Sequence, residues 1–87
     1  MPNNPPVPPV RLEFARRLRQ LRIERGFTHA RTFARALGID ENRYTRYERA
    51  EVEPTLALIH RMCELLEASP NDLFGFMEKA SGRQRSR

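Results

Sequence analysis

The stretch RTFARALGIDENRYTRYER, residues 31–49, decides the fold. In its first half, apolar residues recur at the spacing of one buried helix face, and Gly38 is the residue type that most easily ends such a helix. Asp40 follows two residues later and can cap a new helix with its carboxylate. The stretch therefore predicts two short helices joined by a tight turn that contains a glycine.

The second helix of this pair, predicted from Glu41 to Arg49, has one apolar side and one polar side. Tyr44 and Tyr47 lie three residues apart, so they share the side that must be buried. The polar side is rich in hydrogen-bonding groups and consists of Asn42, Arg43, Thr45, Arg46 and Arg49. We therefore expect this side to be exposed and able to contact a partner.

Two helices are predicted before this one. Helix 1 runs from Val10 to Arg25, and its arginines, including Arg22, are expected on the outside. Its buried residues are predicted at spacings of three and four, as Val10, Phe14, Leu18 and Leu21. Helix 2 is predicted to begin at about His29 or Ala30, with Thr28 as its cap, and to run to the glycine that starts the turn.

Helices 4 and 5 complete the chain. Thr55 can cap helix 4, whose inward stripe is predicted as Leu56, Ile59, Met62, Cys63 and Leu66, with Leu58 and Leu65 widening it. Ser69 can cap helix 5, with Pro70 in the first turn and Asp72 three residues after the cap, as in a capping box. Since no strand pattern occurs, the predicted fold class is all-α, a compact bundle of five helices.

The domain limits follow from composition. The chain has 87 residues, of which 39% are hydrophobic, and this is enough for one modest core. Residues 1–9 hold five of the seven prolines and are expected to form a disordered arm. Residues 79–87, KASGRQRSR, have no large apolar side chain to anchor them and are expected to form a flexible basic tail. The folded domain is therefore predicted over residues 10–78.

The net charge of +5 is unevenly distributed. Residues 11–49 carry eleven arginines and five acidic residues, whereas residues 50–78 carry one arginine and six acidic residues. A basic half favours a polyanionic partner, because arginine attracts phosphate. The N-terminus lacks the basic start and apolar run of a signal peptide, and the single Cys63 cannot form an internal disulfide, so we expect a cytoplasmic protein.

These elements resemble the Cro and phage-repressor type of helix-turn-helix domain, the xenobiotic-response-element family of small bacterial and phage regulators. The resemblance covers residues 14–74 and rests on five motifs in the family's order: LRQLRIERGF, FARALGI, YTRYER, EPTLALIHRMCELL and SPNDLF. It implies a lambda-repressor-like fold in which helix 3 enters the major groove of DNA. Glu48 stands where the family usually has a glutamate, and we expect it to bind an arginine elsewhere in the domain.

The resemblance also implies which side chains meet the bases, namely Glu41, Asn42, Thr45 and Arg46. Their chemistry agrees with this role. Arginine can bind guanine through two hydrogen bonds and asparagine can bind adenine in the same way, while glutamate can accept from the cytosine amino group. Threonine offers a hydroxyl group, or a methyl group for contact with thymine.

Phosphate contacts are expected from Arg43 and Arg49. Many family members begin helix 2 with a glutamine that this sequence lacks, so Arg31 or His29 is expected to make the phosphate contact there. The loop after helix 3 carries Glu51 and Glu53 where the family has basic residues. These two carboxylates are therefore expected to lie outside the surface that contacts DNA.

Metal and catalytic sites are weaker alternatives. His60 and Cys63 lie three residues apart on helix 4, but two ligands fall short of a structural zinc site, so no metal or other cofactor is expected. The sequence has no catalytic triad pattern, no phosphate-binding glycine loop and no pair of carboxylates in an apolar setting. No catalytic residue is therefore assigned, and the protein is not expected to be an enzyme.

Helices 4 and 5 carry more apolar residues than a small bundle needs, which favours an interface. Leu58, Leu65, Phe76 and Met77 are expected to join two copies of the chain, or else to bind a regulatory protein as an antitoxin-like interaction module would. We expect a homodimeric, sequence-specific regulator of transcription, in the simplest case a repressor. It would bind double-stranded DNA of the nucleoid at an inverted repeat.

Overall fold

The protein folds into five α-helices in the region that the computed structural model describes, residues 6–76. The helices are α1 (Pro9–Glu24), α2 (Ala30–Leu37), α3 (Glu41–Glu48), α4 (Leu56–Leu66) and α5 (Pro70–Phe74). No strand occurs between residues 6 and 76, so the predicted all-α class is confirmed. The predicted basic tail, Met77 and the first five residues of the predicted proline-rich arm lie outside the described residues.

Three of the predicted helix caps are confirmed. The side chain of Asp40 accepts a hydrogen bond from the backbone N–H of Arg43, and Thr55 caps α4 in the same way. At α5, Ser69 and Asp72 form the predicted capping box, in which each side chain accepts from the other residue's backbone N–H. Each such cap satisfies backbone donors that a helix start leaves unpaired, and is worth about 1 kcal/mol.

Two predictions about helix starts are corrected. Helix α1 begins at Pro9 rather than Val10, because proline fits the first position of a helix, where its missing N–H costs no hydrogen bond. Thr28 does not cap α2, since His29 occupies the cap position and makes no side-chain cap bond. The carbonyl oxygen of Thr28 is bound instead by Nη1 of Arg22, at 2.9 Å.

The core lies between α1, α2 and the buried face of α3, and it is closed by α4 and α5. Its largest fully buried side chains are Tyr44, Phe33, Leu18, Met62, Leu66 and Leu73. The ring of Phe33 contacts Phe27 on one side and Tyr44 on the other, edge to face, with centroid distances of 4.9 and 5.4 Å. Tyr47 is also buried, so the predicted inner side of α3 is confirmed.

The predicted inward stripe of α4 is confirmed at Met62 and Leu66 and is wrong at Leu56. Leu58, Met62 and Leu66, spaced by four, form its buried row, whereas Leu56 is 83% exposed. Two residues along a helix correspond to a rotation of about 200°, so Leu56 and Leu58 cannot share a face. Leu58 therefore belongs to the core of its own chain and does not face outward as predicted. Val10 on α1 was also expected in the core and is 40% exposed.

A buried ion pair joins α1 to α3. Nε of Arg22 lies 2.6 Å from Oε2 of Glu48, and Nη2 donates to Oε1 at 3.3 Å. Nη1 of Arg22 donates to the carbonyl oxygens of Phe27 and Thr28 in the connection to α2. Tyr44 donates its hydroxyl hydrogen to Glu48 as well. The prediction that Glu48 binds an arginine is confirmed, and the prediction that Arg22 lies on the outside of α1 is wrong.

We call these three side chains the Arg22–Glu48–Tyr44 cluster. Burial alone would lower the pKa of Arg22, but the hydrogen bond and the charge of Glu48 outweigh it, so this pKa stands above its ordinary value. Burial, followed by the hydrogen bond to Glu48, raises the pKa of Tyr44. Both groups therefore keep their protons at neutral pH and serve as donors to the Glu48 carboxylate.

Helices α3 and α4 end on residues in the left-handed conformation that are not glycine. Ala50 has a φ of 61° and Glu67 a φ of 53°. The backbone N–H of the following residue then bonds back into the helix, from Glu51 to Arg46 and from Ala68 to Cys63. This is the Schellman pattern that glycine usually supports. A Cβ in this conformation costs about 1–2 kcal/mol, so both helix ends carry backbone strain.

Glu48→Ala is expected to destabilise the domain strongly. It leaves the guanidinium of Arg22 buried without its counter-charge, a loss that costs about 3–5 kcal/mol in the free energy of unfolding. Glu53→Ala is the matched control, because the Glu53 side chain is 60% exposed where it pairs with Arg11, and such pairs contribute at most about 1 kcal/mol. Urea denaturation followed by circular dichroism measures both. Equal losses in the two variants would contradict the structural role of the cluster.

Glu67→Gly is expected to stabilise the domain. Glycine removes the left-handed strain, and the extra entropy of its unfolded chain offsets part of the gain, which leaves about 0.5–1 kcal/mol. The melting temperature should rise by about 3–6 °C. Glu67→Ala keeps the Cβ and should give no such rise. If both variants gain equally, the removed charge at the C-terminal end of α4 is the cause instead of the backbone.

Candidate nucleic-acid interface

Helices α2 and α3 are joined by three residues, 38–40, and α3 presents its polar side to solvent. The connection contains Gly38 in the left-handed conformation, with φ of 85°, which turns the chain sharply between the helices. Because Tyr44 and Tyr47 bury one side of α3, the other side is exposed along its length. The exposed residues are Glu41, Asn42, Arg43 and Arg46, followed by Arg49 at the helix end.

Thr45 lies between the buried and the exposed sides of α3. It is half-buried, and its hydroxyl group donates to the carbonyl oxygen of Asn42 at 3.1 Å. The hydroxyl proton is therefore used inside the helix. Its methyl group and the remaining acceptor capacity of its oxygen stay available to a partner.

Arg43 is held in a defined orientation by the helix that carries it. Its Nε donates to the hydroxyl oxygen of Tyr47 at 3.1 Å. The guanidinium has five N–H donors in a planar fork, so a hydrogen bond at Nε leaves the terminal nitrogens able to bind another group. An anchored and exposed guanidinium of this kind is suited to a phosphate oxygen.

The structure brings together two residues that the sequence assigned to different contacts. Nε of Arg31 on α2 lies 3.6 Å from Oε1 of Glu41 on α3, and both side chains are largely exposed. Glu41 therefore has an arginine partner in addition to its place in the first turn of α3. His29, the other helix 2 candidate, is exposed at the start of α2.

Glu51 is a residue of this surface that the sequence analysis placed outside it. Its Oε1 lies 3.5 Å from Nε of Arg46, and its Oε2 lies 3.7 Å from Nη1 of Arg49. Glu53 turns the other way and pairs with Arg11 on α1 at 3.5 Å. Nothing in the sequence indicated this position, because the Schellman turn at the end of α3 places an alanine, Ala50, in the left-handed conformation. A glycine there would have indicated the turn.

Several arginines of the basic half are used within the domain. Nη1 of Arg11 donates to the carbonyl oxygen of Ala50 at 3.1 Å, and Arg25 donates to that of Leu66, in the last turn of α4, at 2.7 Å. Arg17 binds Glu13 and the carbonyl oxygen of Asp72. These cations stabilise helix ends and connections. Arg31 at the start of α2, Arg43 and Arg46 on α3 and Arg49 at its end have exposed side chains, and we call these four the basic surface.

A second surface lies between α4 and α5. It is a largely apolar groove with a volume of about 680 Å³, which we call the α4–α5 groove. Its lining residues are Leu56, Ile59, His60, Cys63, Glu64, Glu67, Ala68, Pro70 and Phe74. Phe76, 63% exposed, stacks on Phe74 beside it, whereas Leu65 is half-buried against the core. Of the predicted interface residues that lie within residues 6–76, Phe76 is thus the one beside this groove.

The titratable groups of the groove do not form a metal site. Nδ1 of His60 lies 3.9 Å from Oε1 of Glu64, and both side chains are exposed. Burial, followed by the charge of Asp72, raises the pKa of the Cys63 thiol, which keeps the sulfur protonated and unreactive. Within residues 6–76, no three His, Cys, Asp or Glu side chains come close enough to share a metal ion.

None of the helices in the described part of the chain is both long and apolar enough to cross a membrane.

Comparison with protein families agrees with this geometry. The model of a family described as a helix-turn-helix domain matches residues 13–73, which include nearly all of the five helices. Comparisons with curated proteins and with solved structures gave no significant match. The family match is consistent with the Cro and phage-repressor type of domain that the sequence predicts, a type that binds DNA and typically has no enzymatic activity. The chain belongs to the helix-turn-helix domain family.

Proposed function

We propose that this protein is a sequence-specific regulator of transcription that binds double-stranded DNA. The observation that carries the proposal is the polar side of α3, which is exposed along the whole helix while its two tyrosines are buried in the core. A helix held in this way fits the major groove, which admits one α-helix and displays a distinct pattern of donors and acceptors for each base pair. Helix α2 would then cross the backbone beside it.

The base-reading residues in this proposal are Glu41, Asn42, Thr45 and Arg46. Asn42 and Arg46 are exposed and have the geometry for two hydrogen bonds to adenine and guanine. Thr45 would contact a thymine methyl group, since its hydroxyl proton is already bound within α3. Glu41 would accept from a cytosine amino group, since its pair with Arg31 involves one carboxylate oxygen and leaves the other available.

The phosphate-binding residues are proposed to flank these four. Arg43 is anchored on Tyr47 and exposed at its end, and Arg31 and His29 lie at the start of α2. Arg49 follows the last turn of α3. Contacts of this kind set the position of the protein on the duplex and carry no sequence information themselves.

We further propose that two copies bind together at an inverted repeat. The α4–α5 groove and its surroundings expose apolar side chains that a monomer gains nothing by exposing, above all Leu56 at 83% and Phe76 at 63%. A two-fold dimer through this surface would present two copies of α3 to half-sites about one DNA turn, 34–36 Å, apart. Repression is the simplest regulatory mechanism, because occupancy of a promoter by itself excludes polymerase.

The α4–α5 groove also supports a second candidate function, a protein-interaction or antitoxin-like module that uses the same fold. Its acidic rim, Glu64 and Glu67, and its apolar floor would then be the working surface. The two functions differ in one observable property. A pure interaction module would show no sequence-dependent affinity for duplex DNA at about 150 mM salt, where non-specific binding is weak.

Selection of bound duplexes from a random pool tests DNA recognition, and Arg46→Ala then tests the assigned contact. On the most enriched duplex, this variant should lose about 1–3 kcal/mol of binding free energy and lose the base preference at one position. Arg49→Ala is the matched variant for a phosphate contact, and it should weaken binding to all duplexes about equally. The assignment of Arg46 is wrong if its substitution weakens random and selected duplexes to the same extent.

The proposed dimer is tested by placing a charge on its interface. Leu56→Lys or Phe76→Glu should give monomers at protein concentrations where the unsubstituted chain is dimeric, because each charge would be buried without a partner. Leu12→Lys is the matched control, since Leu12 is 53% exposed on α1 and does not line the groove. Sedimentation velocity measures the association state. Intact dimers of the Leu56 and Phe76 variants would refute this placement of the interface.

A further inference from the structure

The turn after α3 brings an acidic residue back onto the basic surface. The backbone N–H of Glu51 donates to the carbonyl oxygen of Arg46 at 2.9 Å, and that of Ala50 donates to Tyr47 at 3.1 Å. Arg11 on α1 binds the carbonyl oxygen of Ala50 and so ties the turn to the domain. The position of Glu51 beside α3 is therefore fixed by its backbone and does not depend on its side chain.

The carboxylate of Glu51 is shared between two arginines. It lies 3.5 Å from Nε of Arg46 with one oxygen and 3.7 Å from Nη1 of Arg49 with the other. All three side chains are about half exposed, with 45% for the carboxylate and 54% and 64% for the two arginines. The pairs are therefore formed in water and can exchange for other partners of similar strength.

We infer that Glu51 determines specificity, by competing with DNA phosphates for Arg46 and Arg49. The inference rests on the proposed function and assigns a role in it to a residue that touches no base. An exposed arginine that moves from a carboxylate to a phosphate exchanges one charge pair for another and gains little. A guanine can be bound by the two terminal nitrogens of Arg46 while Nε keeps its pair with Glu51, so this contact breaks no pair.

Two consequences follow for the free energy of binding. On random DNA, Arg46 and Arg49 stay partly paired with Glu51, and the carboxylate also repels nearby phosphates. On a duplex with guanine at the right position, Arg46 binds the base with its terminal nitrogens and keeps its pair with Glu51 at Nε. Glu51 thus lowers non-specific affinity more than specific affinity, which widens the ratio between the two.

Glu51→Gln tests this in the full chain, with two probes: the most enriched duplex of the random-pool selection and a duplex of the same composition in shuffled order. Affinity for the shuffled duplex should rise by about five- to tenfold at low salt, the worth of one or two exposed pairs. The slope of log affinity against log salt should steepen by up to about one unit. Affinity for the enriched duplex should rise by less than about twofold, because the pair at Nε also orients Arg46 for guanine there, and its loss offsets most of the gain.

Two controls separate pairing from charge in general. Glu53→Gln removes the same charge from the same loop, but its partner is Arg11 on the side of α1, so it should have a smaller effect on the shuffled duplex. In a background that carries both Arg46→Ala and Arg49→Ala, Glu51→Gln should raise affinity for the shuffled duplex by less than about twofold, because only the screened repulsion of phosphates remains. Equal melting temperatures show that the exposed substitutions leave the fold intact.

The inference is overturned by equal gains on both duplexes, by equal effects of Glu51→Gln and Glu53→Gln, by a gain that is just as large without the two arginines, or by no gain at all. The proposed function itself is overturned by a different result, namely that the unsubstituted protein enriches no duplex in the random-pool selection. The two failures are therefore separable.

Discussion

The rest of the structure depends on the ion pair between Arg22 and Glu48. It joins the first helix to the third, and the same guanidinium binds the two carbonyl oxygens that lead into α2. One side chain thereby fixes both helices of the helix-turn-helix relative to α1. Tyr44 donates a further hydrogen bond to Glu48, and its ring packs against Phe33 in the core. Because the cluster is buried, its partners cannot exchange with water, and α3 is held rigidly with its polar side outward.

This rigidity has a direct bearing on recognition. Base reading requires that side chains reach the groove edges from a helix whose own position does not vary. Three of the eight residues of α3, Tyr44, Tyr47 and Glu48, hold its inner side against the domain. The other positions of the helix can therefore carry side chains that contact a partner. The surface itself mixes four exposed arginines with Glu41 and Glu51, which pair with three of them. In the proposed function, such a surface would favour discrimination between duplexes over tight non-specific binding.

Most of the fold could be predicted from the sequence, because local signals mark it. Asp40, Thr55 and Ser69 are strong cap residues, and the spacing of Tyr44 and Tyr47 identifies the inner side of α3. The face of α4 was harder, since both of its sides carry leucines and only packing decides between Leu56 and Leu58. The length of α2 and the turn before α3 followed from the apolar spacing and from the single glycine between them.

The sites of the arginines could not be predicted, for a physical reason. Arginine can be buried when the N–H groups of its guanidinium find hydrogen-bond acceptors. Nothing in a single sequence distinguishes Arg22, which is 4% exposed, from its exposed neighbour Arg19. The same holds for Arg11 and Arg25, whose targets are backbone carbonyl oxygens distant along the chain. The return of Glu51 onto α3 was missed because the turn uses an alanine in a conformation that usually calls for glycine.

Backbone amide resonances, followed during titration with a selected duplex, test the proposal that α3 and the start of α2 form the DNA-binding surface. If they do, the largest chemical-shift changes fall on residues 29–32 and 41–51. The chemical shifts of the amides of residues 56–68, along α4, should then change little. Changes concentrated on residues 56–68, with those of α3 unaffected, would contradict the proposal.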